Sequence, residues 1–366
     1  MNILVLNYRD RKHPLAGGAE VHLHKIFGKI AEWGHNVTLF TTTFAGAKDR
    51  EVVDGIQVVR YGGDVLFQFN IWRKWKALCA EFSPDIVVED INKLPFYTPL
   101  YSKLPKFIQI HHLWKSSIFY EASFPMALMV WLQEKTLPIF YKSELHAAVS
   151  PSTVQELQEL GIPRQNIRLI YNGSESHGTD LEVQREKGDY FIWLGRLRRY
   201  KGVFIALEAF KIVAQQNPDI KLKIAGSGPE KENIVAAIKK MGLSDRVEMV
   251  GLVSSKEKSL LLRGSVALIQ SSYKEGWGLT VLEAASCGTT TIASDVPGLR
   301  DSVKDGETGL LFPAGKAKVL AEKMLFILND EEQRRRYELA ARQWTTEFSW
   351  DKAASQTFKA LQEVLA

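Results

Sequence analysis

Cysteine occurs only twice in these 366 residues, at Cys79 and Cys287. Two distant thiols leave no disulfide framework and no zinc spacing, so a reducing, cytoplasmic location is expected. No apolar run approaches the roughly 20 residues needed to cross a bilayer. The opening Ile3-Leu4-Val5-Leu6 is too short for a signal-peptide core and reads as a strand. Histidine and carboxylate clusters with metal spacing are missing, and no D-x-D pair stands at a plausible site, so no metal and no cofactor is predicted. Internal repeats and low-complexity segments are also missing. The net charge of +5 is mild. It tolerates anionic substrates or an anionic membrane surface and predicts no nucleic-acid partner.

What the chain does have is a regular alternation. Residues 2–6 are β-compatible, and residues 18–33 carry Leu23, Ile26, Phe27 and Ile30 on one helical face before Gly34 stops the helix. Val37–Phe40, Ile86–Val88 and Phe107–Ile110 read as further strands. After residue 180 the rhythm restarts. Strands are predicted at Tyr190–Leu194, Ile220–Ala225, Val247–Val250, Val266–Gln270 and Thr290–Ala293, with a helix over 202–215. Strands alternating with helices imply an α/β chain with parallel sheets. The prediction is two Rossmann-like doubly wound domains, 1–175 and 176–349, facing a cleft. The polar stretch Gly173–Gly188 is the predicted connection.

Glu275-Gly276-Trp277-Gly278-Leu279-Thr280-Val281-Leu282-Glu283 sets two carboxylates eight residues apart. The glycines permit close approach of a ligand to the backbone. Val281 to Ala285 read as the opening of a buried helix, whose positive end near Gly278 suits a diphosphate. Were all eight steps helical, the carboxylates would lie about 12 Å apart along the axis. Two carboxylates with an anion site between them fit a nucleotide sugar. Surface placement of both is the alternative.

Gly195-Arg196-Leu197-Arg198-Arg199-Tyr200-Lys201-Gly202 follows a strand and opens a helix, offering a guanidinium fork and a point charge to phosphate oxygens. A solvated basic helix start explains Arg198 and Arg199 equally. Gly17 and Gly18, before Ala19-Glu20, form a loop where a strand gives way to a helix. It is not the G-x-G-x-x-G of dinucleotide enzymes. His111 and His112 end a strand where a histidine can meet a sugar hydroxyl. Gly226-Ser227-Gly228-Pro229 is a turn whose Pro229 also suits the first position of a helix.

The E-x7-E run, together with its glycines and flanking text, resembles the signature of retaining GT-B glycosyltransferases of the family 4 (group 1) type. The G-R-x4-K-G, G-G-x-E and G-x-G-P segments resemble the same family, so the resemblance covers almost the whole chain. It implies a metal-independent hexosyl transfer from a UDP- or GDP-linked sugar to an acceptor hydroxyl, on a lipid-linked sugar or a cell-envelope or exopolysaccharide precursor. Carried over residue by residue, Glu275 binds donor-sugar hydroxyls and Glu283 the ribose. Arg196 and Lys201 hold the diphosphate, with the backbone of Gly276, Trp277, Gly278, Leu279 and Thr280. Gly228 lies near the base, and His111, Gly17 and Gly18 complete the site. The final helix, about 350–366, would return to the first domain. Relatives often carry Asp where this chain has His112 and Glu175, which leaves open which histidine points inward. A GT-B epimerase or phosphorylase, and a non-catalytic nucleotide-sugar-binding partner, are the other readings.

Phe67–Cys79 interleaves Trp72 and Trp75 with Arg73, Lys74 and Lys76, and Pro125–Leu132 is strongly apolar. Such sequence suits peripheral contact with the inner face of the cytoplasmic membrane. A helix packed on the first domain explains it as well. Acceptor choice is expected in loops at about 42–55, 62–75 and 93–125.

Overall fold

A computed structural model describes residues 1–92, 94–174 and 188–366. These fall into two compact units: Met1–Ile118 with Ser123–Gly173 and Trp350–Ala366, and Phe119–Ala122 with Ser174–Ser349. Most of the predicted connection Gly173–Gly188, Glu175 included, lies outside the described residues. Phe119–Ala122, expected in the first domain, groups with the second unit. There Glu121 accepts from Arg198 at 2.6 Å and Tyr120 stacks on Tyr273.

The first unit holds an eight-stranded sheet in the order Arg50–Val53, Ile56–Arg60, Asn36–Thr41, Asn2–Leu6, Ile86–Ile91, Lys106–Ile110, Leu145–Ala148, Ile167–Leu169. All neighbours are parallel except the first two, which form an antiparallel hairpin. The central strands are buried along nearly their whole length, as strands covered by helices on both faces must be. One covering layer is the helix Phe67–Phe82, whose Phe67, Ile71, Trp75 and Leu78 pack on Leu4, Leu6 and Val87. The other includes Gly18–Glu32, against which the closing helix Trp350–Leu365 lies. Lys29 pairs with Asp351 at 2.8 Å and Trp33 meets Phe358 edge-on.

The second unit holds a wholly parallel six-stranded sheet in the order Val247–Gly251, Lys221–Ala225, Tyr190–Leu194, Leu268–Gln270, Thr291–Ser294, Gly309–Phe312. From Tyr190–Leu194 the chain first winds outward in one direction, then returns at Leu268–Gln270 and winds in the other. Ligands of open α/β sheets bind beyond the carboxyl ends of the strands at such a reversal. The loops at this point are the ones carrying Arg196, Lys201 and Glu275.

Three expectations need correction. The hairpin Arg50–Ile56 onward occupies much of the predicted loop 42–55, because Asp54-Gly55 supplies two positive-φ residues that reverse the chain. The predicted loop 62–75 is helical from Phe67. Pro229 is not a first helical residue, since the helix that follows begins at Lys231.

Candidate active site

The second unit gathers Lys201 and Glu275. The backbone after Leu194 turns through Arg199–Lys201, while the backbone after Gln270 runs alongside it. Tyr273 N–H donates to the Tyr200 carbonyl at 2.7 Å, and the Ser271 hydroxyl donates to the Gly202 carbonyl at 2.7 Å. Gly202 has φ +68°, and a Cβ there would stand 2.0 Å from the Ser271 carbonyl oxygen. Only glycine therefore lets the two loops touch. Their contact brings the Lys201 ammonium onto Glu275 Oε1, which also accepts from Ser272 at 2.9 Å. Both members of the pair keep 15% of side-chain exposure, so each is shielded yet open to a ligand. Burial lowers the Lys201 pKa, but the charge and hydrogen bond of Glu275 together with Tyr200 overcome it and the net shift is upward. Lys201 is a fixed cation.

Arg196 is exposed and reaches Tyr200 Oη at 3.3 Å. Gly228 lies against the backbone of Leu197, whose N–H donates to the Ser227 carbonyl at 2.8 Å. The helix Leu279–Ser286 starts from Gly278, in left-handed conformation at φ 82° and ψ 61°. The Val281 N–H donates to the Gly278 carbonyl at 2.9 Å, and the N–H groups of Leu279 and Thr280 before it lie at the positive end of the helix dipole. Gly276 is pinned from behind by Gly298, where a Cβ would meet the Glu275 and Gly276 backbone at 2.6 Å. Thr280 Oγ1 accepts from Gln270 at 2.7 Å. Trp277 is 2% exposed and its ring packs edge-on against Phe348, so its side chain belongs to the core and only its backbone is available to a ligand. Glu283, in the second turn, is ion-paired with Lys258.

In the first unit, Gly17 precedes the helix that Gly18 opens, and its N–H donates to the Glu20 carboxylate at 2.6 Å. His111 is buried at the end of Lys106–Ile110 and donates from Nε2 to Asp90 Oδ1 at 2.7 Å. Its ring meets His22 edge-on at 4.8 Å. His22 donates in turn from Nδ1 to Asn172 Oδ1 at 2.6 Å, and Trp350 closes over it. Burial and the neighbouring His111 push the His22 pKa down to about 3, so this ring is neutral. Burial acts the same way on His111, but the charge and hydrogen bond of Asp90 overcome it, with help from Glu20, and the net shift is upward. The two rings of the pair are thus shifted in opposite directions. His112 instead lies beside Trp114.

Sequence reasoning missed His22, Asp90, Lys258 and Gly298. Asp90 carried a signal, since with Glu89 it puts two adjacent carboxylates inside an apolar strand. His22 stood within the apolar stripe of its helix. Lys258 had none, since nothing local distinguishes it from other surface lysines. Among the described residues no three His, Cys, Asp or Glu side chains stand where they could hold a metal.

The chain matches two family models, "Glycosyltransferase Family 4" over residues 16–176 and "Glycosyl transferases group 1" over residues 181–344. It is 31% identical over 226 residues to N-acetyl-alpha-D-glucosaminyl L-malate synthase of Bacillus anthracis, a match covering 59% of this chain and 58% of the relative. The match to glycogen synthase of Mycobacterium tuberculosis is 30% over 212 residues, 57% of this chain and 51% of the relative. The chain thus spans little more than half the length of these curated relatives. Sucrose-phosphate synthase from Thermosynechococcus elongatus superposes with a TM-score of 0.82 at 23% identity, covering 99% of this chain and 98% of the other. HepE of Anabaena in complex with UDP-glucose gives 0.79 at 17%, covering 99% of both chains. Likeness at these identities establishes a shared fold.

Proposed function

Since the chain belongs to the family 4, group 1 glycosyltransferases and has their GT-B fold, we propose that it moves a hexose-type sugar from a nucleoside diphosphate sugar to an acceptor hydroxyl with retention of configuration. The observation that carries this reading is the Lys201–Glu275 pair next to the start of Leu279–Ser286. A cation, a helix N-terminus and a carboxylate lie within one loop system, which are the groups a diphosphate and a sugar hydroxyl require. The name of HepE, which binds UDP-glucose, makes a UDP-linked donor the first to test.

In this reading the diphosphate draws Lys201 toward its oxygens, with Arg196 and the N–H groups of residues 276–280. Glu275 is then free to accept from sugar hydroxyls, and Glu283 accepts from the ribose. The bond from the anomeric carbon to the phosphate oxygen breaks while the acceptor oxygen bonds to that carbon from the same face. The acceptor proton goes to the departing phosphate oxygen, so no protein nucleophile is needed. Lys201 and Arg196 stabilise the charge that develops on the diphosphate, the electrostatic role that dominates such steps. Their fixed charges support metal independence. His111, whose pKa Asp90 draws upward, is assigned to donating a hydrogen bond to a sugar hydroxyl. The acceptor is a lipid-linked sugar or envelope polysaccharide precursor.

A thermal-shift comparison of UDP, GDP, ADP and dTDP, with Arg196→Ala beside the wild type, tests the donor half. Nucleotide at one hundred times its dissociation constant adds about 2.7 kcal/mol. One nucleotide should shift the wild type and not the variant. No shift with any of the four would refute the donor site. Transfer is then read by product analysis, where an epimer without transfer or a requirement for inorganic phosphate would replace this reading.

A further inference from the structure

The first unit exposes more large apolar side chains on two adjacent helices than scattered surface residues explain. On Phe67–Phe82 the buried face is Phe67, Ile71, Trp75 and Leu78, while Phe69 and Trp72 point outward, Trp72 at 54% exposure. On Phe124–Glu134 the outward residues include Phe124, at 69%, Met129 and Leu132. Gln68, in the first turn of one helix, donates to Gln133, in the last turn of the other, at 3.2 Å and links these two ends. Single exposed apolar residues are ordinary, whereas a cluster across two neighbouring helices marks an interaction surface.

Cations dominate this surface; the exposed carboxylates that flank the first helix are paired, Glu81 with Arg50 and Asp64 with Arg9. Arg73, Lys74 and Lys76 are exposed on the first helix, and Lys135 follows the second with its ammonium 3.6 Å from the Trp131 ring centre. Residues 66–80 and 124–133 contain no carboxylate. Glu134, which ends the second helix, is buried and accepts from the Lys115 backbone N–H at 2.8 Å. We infer that this face docks on an anionic lipid bilayer, with Phe69, Trp72, Phe124 and Leu132 entering the headgroup boundary and the cations meeting lipid phosphates. Apolar anchors flanked by cations are what such a surface selects. A second copy of the chain fits poorly. Two-fold pairing would set the patch against itself and bring cation to cation.

This inference does not rest on the donor site, and it is read without nucleotide. The full chain is sedimented with phosphatidylcholine vesicles and with phosphatidylcholine–phosphatidylglycerol vesicles at low salt. Wild type should pellet only with the second, and release as salt rises. Phe69→Ser with Trp72→Ser, and separately Arg73→Glu with Lys76→Glu, should each weaken binding by roughly tenfold or more. The melting temperature of each variant should be unchanged, because the side chains replaced are exposed. Equal pelleting of wild type and variants would overturn the inference. So would no pelleting at all, or a concentration-dependent dimer that the same substitutions dissolve.

Discussion

Replacing Asp90 by asparagine removes the main charge that draws the His111 pKa upward. The pair is closed off from water, with 8% and 1% of the two side chains exposed, and its bond is 2.7 Å long. A hydrogen bond between charged partners contributes about 1.5–3 kcal/mol. Asp90 Oδ2 is buried without a hydrogen-bond partner. The new amide would therefore place its NH2 group where nothing accepts from it, costing about 1–3 kcal/mol more. The sum matches the 3–5 kcal/mol typical of breaking a buried pair, and corresponds to a fall of roughly 10 °C in melting temperature for a unit of this size. The loss has a pH signature. The folded pKa of His111 is raised above its ordinary 6.5, so its contribution is complete below that pH and fades as pH rises through the folded value. Urea unfolding of Asp90→Asn, His111→Gln and the double variant at about pH 6 and about pH 9 isolates the coupling. It should be large at the lower pH and small at the higher. A coupling that is equal at both, or a variant as stable as wild type, would refute the upward shift of His111.

Lys201→Met should lower kcat/KM about 100-fold, since it removes a cation aimed at the leaving diphosphate; an effect confined to KM would mean that Lys201 binds donor without stabilising the transition state. Glu283→Gln should weaken nucleotide binding about tenfold, and a 2′,3′-dideoxy nucleotide should bind wild type and variant alike, as calorimetry would show. Gly298→Ala forces a side chain into φ +84° against the Glu275 and Gly276 backbone. It should cost about 1–3 kcal/mol of stability and weaken donor binding with it, both measurable in one thermal-shift series with and without nucleotide. Transfer activity should be unchanged by EDTA; loss restored by Mg²⁺ or Mn²⁺ would contradict the proposed use of Lys201 and Arg196 in place of a metal.

Much of this protein was legible in its sequence because the signals are local. Alternating strand and helix periods give the parallel sheets. Leu23, Ile26, Phe27 and Ile30 mark one helix, and all four are buried on its inner face. The glycines around Glu275 announce a backbone meant to be approached, and Gly278 does start a helix in a left-handed conformation. Spacing alone could not say that Trp277 turns inward, because an aromatic between two glycines looks the same whether it covers a ligand or fills a core. The hairpin at Asp54-Gly55 escaped because its strands are short and carry charges.

What tertiary structure alone decided is how residues far apart in the chain are paired. Lys201 and Glu275 are separated by 74 residues, and they meet because the sheet reverses its winding between Tyr190–Leu194 and Leu268–Gln270. Lys258 reaches Glu283 only because two helices of the second unit pack together. His22 and His111 are similar rings in the sequence. Burial and the neighbouring His111 push the pKa of the first down, whereas Asp90 draws that of the second up. Residue type fixes which chemistry is possible, whereas charge state in a buried site depends on neighbours that only the folded chain supplies.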